Sequence, residues 1–284
     1  MKKYRHAPTP KYRSWEYKKS YRIKKKKSVL RIFKSKIFLL FLLFLIISGT
    51  IFYFVVFSSF FQIKEIKISG NKKVSAEEIR NNITKQVNKK IIFFNTKSIF
   101  LADLKEINEI LLEKFPRIAK VDLNREFPGS LSAQIEERKP VAVFCNSECF
   151  FIDKNGVIFE NISEIPSEIL IIKTENIDKE LNFLKGAKIL EKEQLNQILK
   201  INSKLKDDLK IPVEEILAIS KKRINAKTSE GWEIYFNPER DLEWQLAELS
   251  ILLKKRIPPE KRKNIEYIDL RFDKIFIFPE TYLQ

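Results

Sequence analysis

A run of twenty-five uncharged residues, from Ile37 to Phe61, constrains the fold of this chain more than any other feature. An α-helix rises about 1.5 Å per residue, so roughly 20 apolar residues cross a hydrocarbon core about 30 Å thick. A soluble core helix of this length would need a polar stripe facing solvent, and the run has none. A cleaved signal peptide usually has an apolar region of about 7–15 residues before a cleavage site formed by small residues, and here Phe57 interrupts that pattern. The sequence therefore predicts an uncleaved transmembrane helix over residues 37–61.

Positive charge is concentrated before this run. Residues 1–36 contain fifteen Lys or Arg and one acid, Glu16, and so carry about +14 of the chain's formal net charge of +17. Because Lys and Arg beside a membrane span stay on the cytoplasmic side, we expect the N-terminus inside and the residues after 61 outside. The segment also has dense like charge and no apolar periodicity, so residues 1–36 are expected to form a disordered basic cytoplasmic tail.

The strong positive charge raises a second interpretation, in which the cluster Lys24–Lys27 binds nucleic acid. The charge, however, lies in the tail rather than on a folded face, because the remaining residues carry only about +3. Topology and attraction to anionic lipid headgroups explain the cluster more simply. We therefore expect the lipid bilayer as a partner and no specific nucleic acid.

Residues 62–138 show the pattern of a small α+β domain. The segment Gln62–Ser69 ends in alternating apolar and polar residues, which is typical of a strand, and two further alternating strands flank a Pro-Gly turn near residue 128. Ser75 and Glu78 form a capping-box pattern that predicts the start of a helix, and a second helix follows. The helix residues expected to face the core are Ile79, Ile83, Val87, Phe100, Leu104, Ile107, Leu111 and Phe115. The sequence predicts two helices on one face of a three-stranded sheet.

Residues 139–284 are predicted to form a second, mostly antiparallel β-domain with helices. The Asn155-Gly156 dipeptide predicts a tight hairpin, and one helix is expected across residues 187–206. Asp241 is a candidate N-cap for another helix. The expected strands are 141–145, 149–153, 157–159, 214–220, 223–228, 232–236, 265–271 and 274–278. The predicted fold class is α+β, with a single N-terminal transmembrane helix before the two domains.

Several segments of the two predicted domains resemble the FtsQ/DivIB cell-division proteins. In the order that the family has, they are Phe115–Val121, Arg125–Leu131, Ile135–Ala142, Phe151–Phe159 and Tyr267–Phe272. The resemblance implies a polypeptide-transport-associated (POTRA) domain over residues 62–138 and a β-domain over residues 139–284. The chain departs from the family pattern in two places, since a tryptophan often found near Phe144 is missing and a cysteine pair is present.

The resemblance implies a non-enzymatic, single-pass membrane scaffold at the division septum. In that family the β-domain recruits small membrane proteins of the FtsB/DivIC and FtsL types for septal wall synthesis, so these are the implied partners. Two other classes are alternatives: a membrane-anchored cell-envelope enzyme with an unrecognised active site, and a POTRA-bearing transport component. A transport component would normally add several POTRA repeats or a barrel, and the sequence indicates neither.

The residues after the predicted membrane span offer little catalytic chemistry. The only histidine, His6, lies in the tail, so Ser-His and Cys-His nucleophile systems lack their usual base. The glycine-rich phosphate-binding motifs and the GxSxG hydrolase motif are absent from the sequence. Acid pairs such as Asp207-Asp208 are neighbours in sequence and do not converge on one substrate. The sequence therefore predicts no enzyme, no cofactor and no metal site.

Cys145 and Cys149 are the two cysteines of the chain, and they flank a predicted turn. They supply at most half of the ligands of a zinc site, which would need further Cys or His residues. Two free thiols are a second alternative. Because the hairpin is expected outside the cell, where disulfides form and persist, a disulfide that closes the hairpin is favoured.

The stretch from Arg271 to Phe278 is the expected partner-binding site. Apolar residues occupy both faces of the strand from Ile275 to Phe278, so one face can enter the core while the other needs a cover. A strand at the edge of a sheet with exposed apolar side chains suits the addition of a partner strand. The resemblance implies this role toward FtsB/DivIC, and a buried strand of purely structural value is the alternative. The predicted site residues are Arg271, Phe272, Asp273, Lys274, Ile275, Phe276, Ile277 and Phe278.

Overall fold

The computed structural model describes residues 36–91, 93–175 and 184–279. Residues 1–35, for which a disordered tail is predicted, lie outside the described part of the chain. The chain forms two compact units that divide between Phe54 and Val55. The first unit contains most of one long helix, and the second contains two domains, each built on its own main sheet.

Helix α1, Lys36–Phe57, carries the apolar run. Its most apolar window has a mean hydropathy of 2.7, and among the described residues it is the one helix long and apolar enough to cross a membrane. The helix ends at Phe57 rather than at the predicted Phe61. The reason lies in Ser58, whose hydroxyl accepts the Phe60 N–H and whose carbonyl accepts the Phe61 N–H, and these bonds turn the chain out of the helix.

The first domain is built on a three-stranded sheet with the strand order β1-β5-β4. Strand β1 (Glu65–Ser69) runs parallel to β5 (Ser130–Glu137), and β4 (Ile118–Glu126) runs antiparallel to β5. Helices α2 (Ala76–Val87) and α3 (Leu104–Lys114) share one apolar core with this sheet. The prediction of two helices and three strands is confirmed.

Both helices of the first domain begin at polar caps. The Ser75 side chain accepts the Glu78 N–H, and the Asp103 side chain accepts the N–H groups of Lys105 and Glu106. These bonds satisfy backbone donors that have no partner within the helix. The helices then turn apolar residues of suitable spacing toward the sheet, namely Ile79, Ile83, Val87, Ile107 and Leu111.

The first domain also contains an element that the sequence pattern did not predict. A short antiparallel hairpin, β2 (Lys89–Ile91) and β3 (Phe94–Thr96), lies between the two helices. Phe100, which was expected on the buried stripe of the second helix, precedes that helix and is exposed. Since α3 is capped at Asp103, Phe100 cannot belong to it, and this part of the prediction is wrong.

The second domain contains a nine-stranded sheet. Its strands are β6 (Ala142–Cys145), β7 (Cys149–Ile152), β8 (Ile158–Ile162), β9 (Ile171–Thr174), β10 (Val213–Ser220), β11 (Arg223–Thr228), β12 (Glu233–Phe236), β13 (Tyr267–Asp269) and β14 (Phe276–Phe278). The strand order is β14-β13-β12-β11-β10-β9-β6-β7-β8. Five neighbouring pairs are antiparallel and three, β6–β9, β9–β10 and β12–β13, are parallel. The predicted mostly antiparallel sheet is confirmed, and the parallel pairs are additional.

Two α-helices cover this sheet. Helix α4 (Lys192–Ser203) continues into one π-helical turn, Lys204–Asp208, and α5 (Leu242–Lys255) begins at the predicted N-cap Asp241. The helix expected across residues 187–206 starts later than predicted. Residues before it pair with the β8 region instead, since the Ala187 carbonyl accepts the Ile158 N–H over 3.0 Å.

Ion pairs join the two domains. Arg138, which directly follows β5, pairs with Asp153, which directly follows β7, and both side chains are largely buried. Arg117, directly before β4, pairs with Glu160 in β8. The Arg117 Nε also lies 3.5 Å from the Glu137 Oε2. Because these pairs connect residues on both sides of the domain junction, they fix the first domain to the second within one compact unit.

Candidate partner-binding edge

Strands β13 and β14 form an antiparallel hairpin at one end of the nine-stranded sheet, with β14 outermost. Both strands are shorter than predicted. The Asp269 side chain accepts the backbone N–H of Arg271 over 3.0 Å, which ends β13 and starts the loop. The outer edge of β14 pairs with no other strand in the described part of the chain.

The side chains of β14 alternate between core and solvent, as the two-residue period of a strand requires. Ile277 is 3% exposed and lies opposite Ile268 in the register, and Ile275, just before the strand, packs against the core. Phe276 and Phe278 are 49% and 42% exposed. The strand therefore has one apolar face in the core and a second apolar face in contact with solvent.

This exposed face continues onto neighbouring strands. The rings of Tyr235, Tyr267 and Phe278 stack in that order, with centroids 5.0 Å and 5.4 Å apart. Phe272 meets Phe276 edge to face at 5.9 Å. Both arrangements are favourable for aromatic pairs. We call these five residues the aromatic edge.

Arg271 and Asp273, the two predicted polar contacts, are engaged within the protein. Arg271 forms a two-pronged ion pair with Asp269, and the hydrogen bond to that carboxylate raises the pKa of Arg271. The Arg271 guanidinium also lies 5.4 Å from the centroid of the Tyr235 ring. Asp273 pairs with Arg240, which donates to the Arg271 carbonyl over 2.9 Å. These polar side chains hold the loop between the two strands.

A groove of about 610 Å³ lies on this surface. Its lining is mostly apolar, with Asp269 and the exposed Lys274 as its charged groups. The other lining residues are Tyr267, Phe272, Ile275, Phe276, Ile277 and Phe278. The groove thus contains all the predicted site residues except Arg271 and Asp273.

The backbone of β14 has a defined inner and outer side. The Phe278 carbonyl accepts the Glu266 N–H over 2.9 Å, so the backbone groups of Phe278 face the rest of the sheet. In a strand the N–H and C=O groups of successive residues point to opposite edges. The N–H and C=O of Ile277 therefore point outward, where an added strand would meet them.

Tyr235 and Tyr267, two members of the aromatic edge, were not among the site residues predicted from the sequence. Each has a buried isoleucine beside it, Ile234 and Ile268, so the alternation of a strand turns each tyrosine to the opposite face. That signal was present in the sequence. The sequence did not indicate that β12 pairs in parallel with β13, and this pairing brings the two rings into contact.

The cysteine pair lies in the same sheet but away from this edge. Cys145 ends β6 and Cys149 begins β7, directly opposite each other in the antiparallel register. Their Cα atoms are 4.2 Å apart and their sulfurs are joined in a disulfide. The Asn146 N–H donates to the Glu148 carbonyl over 3.0 Å and closes the turn between them. Oxidation of this pair in the cell stays a prediction.

The sequence matches two family models. The model of the FtsQ-type POTRA domain matches residues 61–138, and the model of the C-terminal part of the cell division protein FtsQ/DivIB matches residues 143–271. The second match ends at Arg271, so the exposed phenylalanines of the aromatic edge lie beyond it. Their assignment as a binding site rests on the structure and on the resemblance.

Curated relatives carry the same names. The chain is 27% identical over 178 residues to a cell division protein FtsQ of Geotalea daltonii, which covers 61% of this chain and 56% of that protein. It is 23% identical over 152 residues to an FtsQ of Streptomyces bingchenggensis, covering 53% and 54%. It is 30% identical over 115 residues to a DivIB of Clostridium botulinum strain Hall, covering 39% and 41%. The matches thus span about half the length of these relatives, or less.

The two matched regions follow each other in the chain and correspond to the two domains of the structure. The apolar helix α1 precedes them and is long and apolar enough to cross a membrane, which indicates a single-pass membrane protein. The first domain is a POTRA domain and the second is a mostly sheet domain, as the sequence resemblance implied. The chain belongs to the FtsQ/DivIB family of cell division proteins.

Proposed function

We propose that this chain is a non-enzymatic scaffold of the bacterial divisome, with its N-terminus in the cytoplasm and both folded domains outside. In this proposal residues 139–284 recruit membrane proteins of the FtsB/DivIC and FtsL types for septal wall synthesis. The observation that carries the proposal is the exposed aromatic face of β14, at the end of the nine-stranded sheet, in the part of the chain that the structure describes.

Strand addition is the binding mode that this edge favours. A partner strand would gain main-chain hydrogen bonds from the outward backbone groups of β14, and pockets for alternate side chains would supply specificity. Phe276 and Phe278 are two residues apart, so both project from the same face. Large aromatic side chains that are fixed before binding are typical of residues that contribute most to binding energy.

The proposed orientation rests on the charge of the sequence. The fifteen Lys and Arg before the apolar run favour a cytoplasmic N-terminus, because such residues resist transfer across the membrane. Both domains would then lie on the side where septal wall is built. A membrane-impermeant, cysteine-reactive label tests this in intact cells, and it should react with cysteines introduced after residue 61 and not with those in the tail.

We propose no enzymatic role because of the side chains that line the groove. Asp269 is bonded to Arg271, and the remaining side chains of the groove are aromatic or aliphatic apart from Lys274. A recruitment surface needs no acid–base pair or nucleophile, whereas hydrolysis or group transfer does. The full chain incubated with peptidoglycan precursors should therefore show no turnover.

Partner capture by variants of the edge tests the proposal. Phe276→Asp keeps the backbone and places a charge on the exposed apolar face. Loss of a central aromatic contact costs about 2 kcal/mol or more, which is about a 30-fold weaker Kd. The matched control is Ile165→Asp, which changes an exposed apolar residue just beyond β8, at the opposite end of the sheet. Capture by the control should equal that of the unchanged protein.

A second variant addresses the backbone. Ile277→Pro removes the outward N–H of β14 and should abolish capture. Since the Ile277 side chain is buried, this variant also loses core contacts, and circular dichroism must establish that it folds. If Phe276→Asp and a folded Ile277→Pro both bind an FtsB/DivIC-type partner as the unchanged chain does, this edge is not the interface.

A further inference from the structure

The POTRA domain exposes phenylalanines that its own core does not use. Phe93 and Phe94, at the tip of the β2–β3 hairpin, are 84% and 66% exposed. Side chains of this size are mostly buried in soluble domains, and adjacent exposed ones indicate a contact surface. The hairpin is far from the aromatic edge in sequence and belongs to a different sheet, so that edge does not account for it.

The hairpin is fixed to the last turn of α1. The Thr96 hydroxyl donates to the Val56 carbonyl over 2.5 Å, and the Ser98 hydroxyl donates to the Val55 carbonyl over 3.0 Å. The rings of Phe57 and Phe94 meet edge to face at 5.9 Å. These carbonyls belong to the end of the helix, where no intrahelical donor remains for them. The tip of the hairpin is therefore held where the apolar helix ends.

Further exposed rings lie in the same region. Phe60 contacts Phe61, Phe61 contacts Phe100, and Phe100 contacts Phe127, with ring centroids 5.0, 5.1 and 5.3 Å apart. Phe60, Phe100 and Phe127 are all exposed. This series starts three residues after the end of α1. Exposed Phe side chains are among those found on segments whose apolar face lies at the boundary between hydrocarbon and headgroups.

Basic residues flank the hairpin tip in the sequence. Lys90 and Lys97 are exposed on either side of it, and Lys89 pairs with Glu106. A lysine near a membrane surface extends its ammonium toward the headgroups while its methylene groups contact apolar material. Anionic headgroups also attract such residues over a Debye length. Exposed phenylalanine with adjacent lysine is the composition of segments that lie in a lipid interface.

We propose that the tip of the β2–β3 hairpin inserts Phe93 and Phe94 into the interfacial layer of the bilayer that α1 crosses. The 22 residues of α1 are about 33 Å long, close to the thickness of the hydrocarbon core. A side chain held at the last turn of such a helix lies at the membrane surface. Lipid is thus present at this position whenever the protein is inserted, and it covers the exposed rings without any further partner.

The consequence is a second attachment of the POTRA domain to the membrane. A domain attached to the membrane through one helix end can rotate about that end. An inserted hairpin would add a second point of attachment and hold the POTRA domain against the membrane surface. Lys90 and Lys97 would then lie beside the phosphates of the headgroups. This inference does not depend on the partner-binding edge, so either proposal can fail without the other.

The full chain reconstituted in nanodiscs tests the proposal directly. An environment-sensitive fluorescent amino acid replaces Phe93, in bilayers of phosphatidylethanolamine and phosphatidylglycerol, and lipids with a spin label high on the acyl chain act as quenchers. We expect the probe to lose most of its fluorescence. The same probe at Ile165, an exposed position in the second domain, should keep its fluorescence in the same nanodiscs.

The outcomes separate lipid from other occupants. Equal, weak quenching at both positions would overturn the inference, provided that circular dichroism shows an unchanged fold. Protection of the probe only after a protein partner is added would assign the tip to a protein interface and would also overturn it. Lys90→Glu with Lys97→Glu should reduce quenching in the anionic bilayer and change it little in a purely zwitterionic one, because only the former attracts the lysines.

Discussion

The ion pair between Arg138 and Asp153 gives a sharp test of how the two domains are held together. The Asp153 side chain is 4% exposed and that of Arg138 is 14% exposed. Asp153 Oδ1 accepts the N–H groups of Asn155 and Val157 over 2.9 and 3.0 Å, and Oδ2 accepts from Arg138. Asp153→Asn keeps the shape and an oxygen for the two N–H groups, so it removes the charge partner of Arg138 and little else.

The expected cost is large because Arg138 stays buried without its counter-charge. Removing one member of a buried ion pair typically lowers the free energy of unfolding by about 3–5 kcal/mol. We expect about 3 kcal/mol, since Arg138 Nε keeps its hydrogen bond to the Pro116 carbonyl. With an urea dependence of about 2–3 kcal/mol per molar, the unfolding midpoint should fall by about 1 M.

Urea unfolding of the two folded domains, from residue 62 onward, measures this change with two signals. Fluorescence of the buried Trp232 reports the second domain, and far-ultraviolet circular dichroism reports both domains. The two transitions should coincide in the unchanged protein and separate in Asp153→Asn, because the junction no longer couples the domains.

The matched control is Glu126→Gln, which breaks an ion pair with Lys67 on the surface of the first domain. Both of its side chains are well exposed, and exposed pairs contribute little to stability. The urea unfolding midpoint of Glu126→Gln should equal that of the unchanged protein. The reasoning is refuted if Asp153→Asn unfolds at the same urea concentration as Glu126→Gln with coincident transitions.

Three further outcomes are expected. Burial alone would raise the pKa of the Glu137 carboxyl, but hydrogen bonds from three backbone N–H groups, together with Arg117, hold that pKa below its ordinary value of 4.5. The ionised Glu137 carboxylate therefore contributes its full stabilisation above pH 4.5, and this stabilisation is lost as the pH falls through the folded-state pKa. Glu137→Gln should thus flatten the loss of thermal stability below pH 4.5. Gly156 has φ +81°, and an added Cβ would overlap the Leu190 carbonyl, whereas Gly231 has φ +96° and open space around it. Gly156→Ala should therefore lower the unfolding midpoint more than Gly231→Ala does. Equal effects would contradict this. Mass spectrometry of non-reduced peptides from protein made in its own envelope should find the two cysteines linked, and two free thiols would refute that pairing.

The local elements of this protein follow from its sequence because they depend on near neighbours. Ser75 with Glu78 predicts the start of α2, and Asp241 predicts the start of α5, since caps act within one turn. The alternation around the Pro-Gly turn predicts the β4–β5 pair, because one side of each strand must be buried. Strand β11 likewise has the predicted bounds.

Features that depend on distant residues were not predictable in the same way. The β2–β3 hairpin interrupts a short apolar run without clear periodicity, and the bonds from Thr96 and Ser98 to the end of α1 join residues about forty positions apart. The parallel pairing of β9 with its neighbours likewise leaves no local pattern. At the aromatic edge, the sequence indicated the strand and its exposed face, but the continuation through Tyr235 requires the strand order.

The position of β14 in the chain has a consequence for the timing of assembly. Every other strand of the nine-stranded sheet precedes it in sequence, and its direct neighbour β13 pairs in parallel with β12 across the whole of α5. Contacts between segments far apart in sequence slow folding, because the entropy of loop closure is lost before such contacts form. Under the function proposed above, a chain that is still being synthesised would lack the edge that a partner recognises. Under the same proposal, only molecules whose second domain is complete could bind the partner, and unfinished chains would be excluded from assembly.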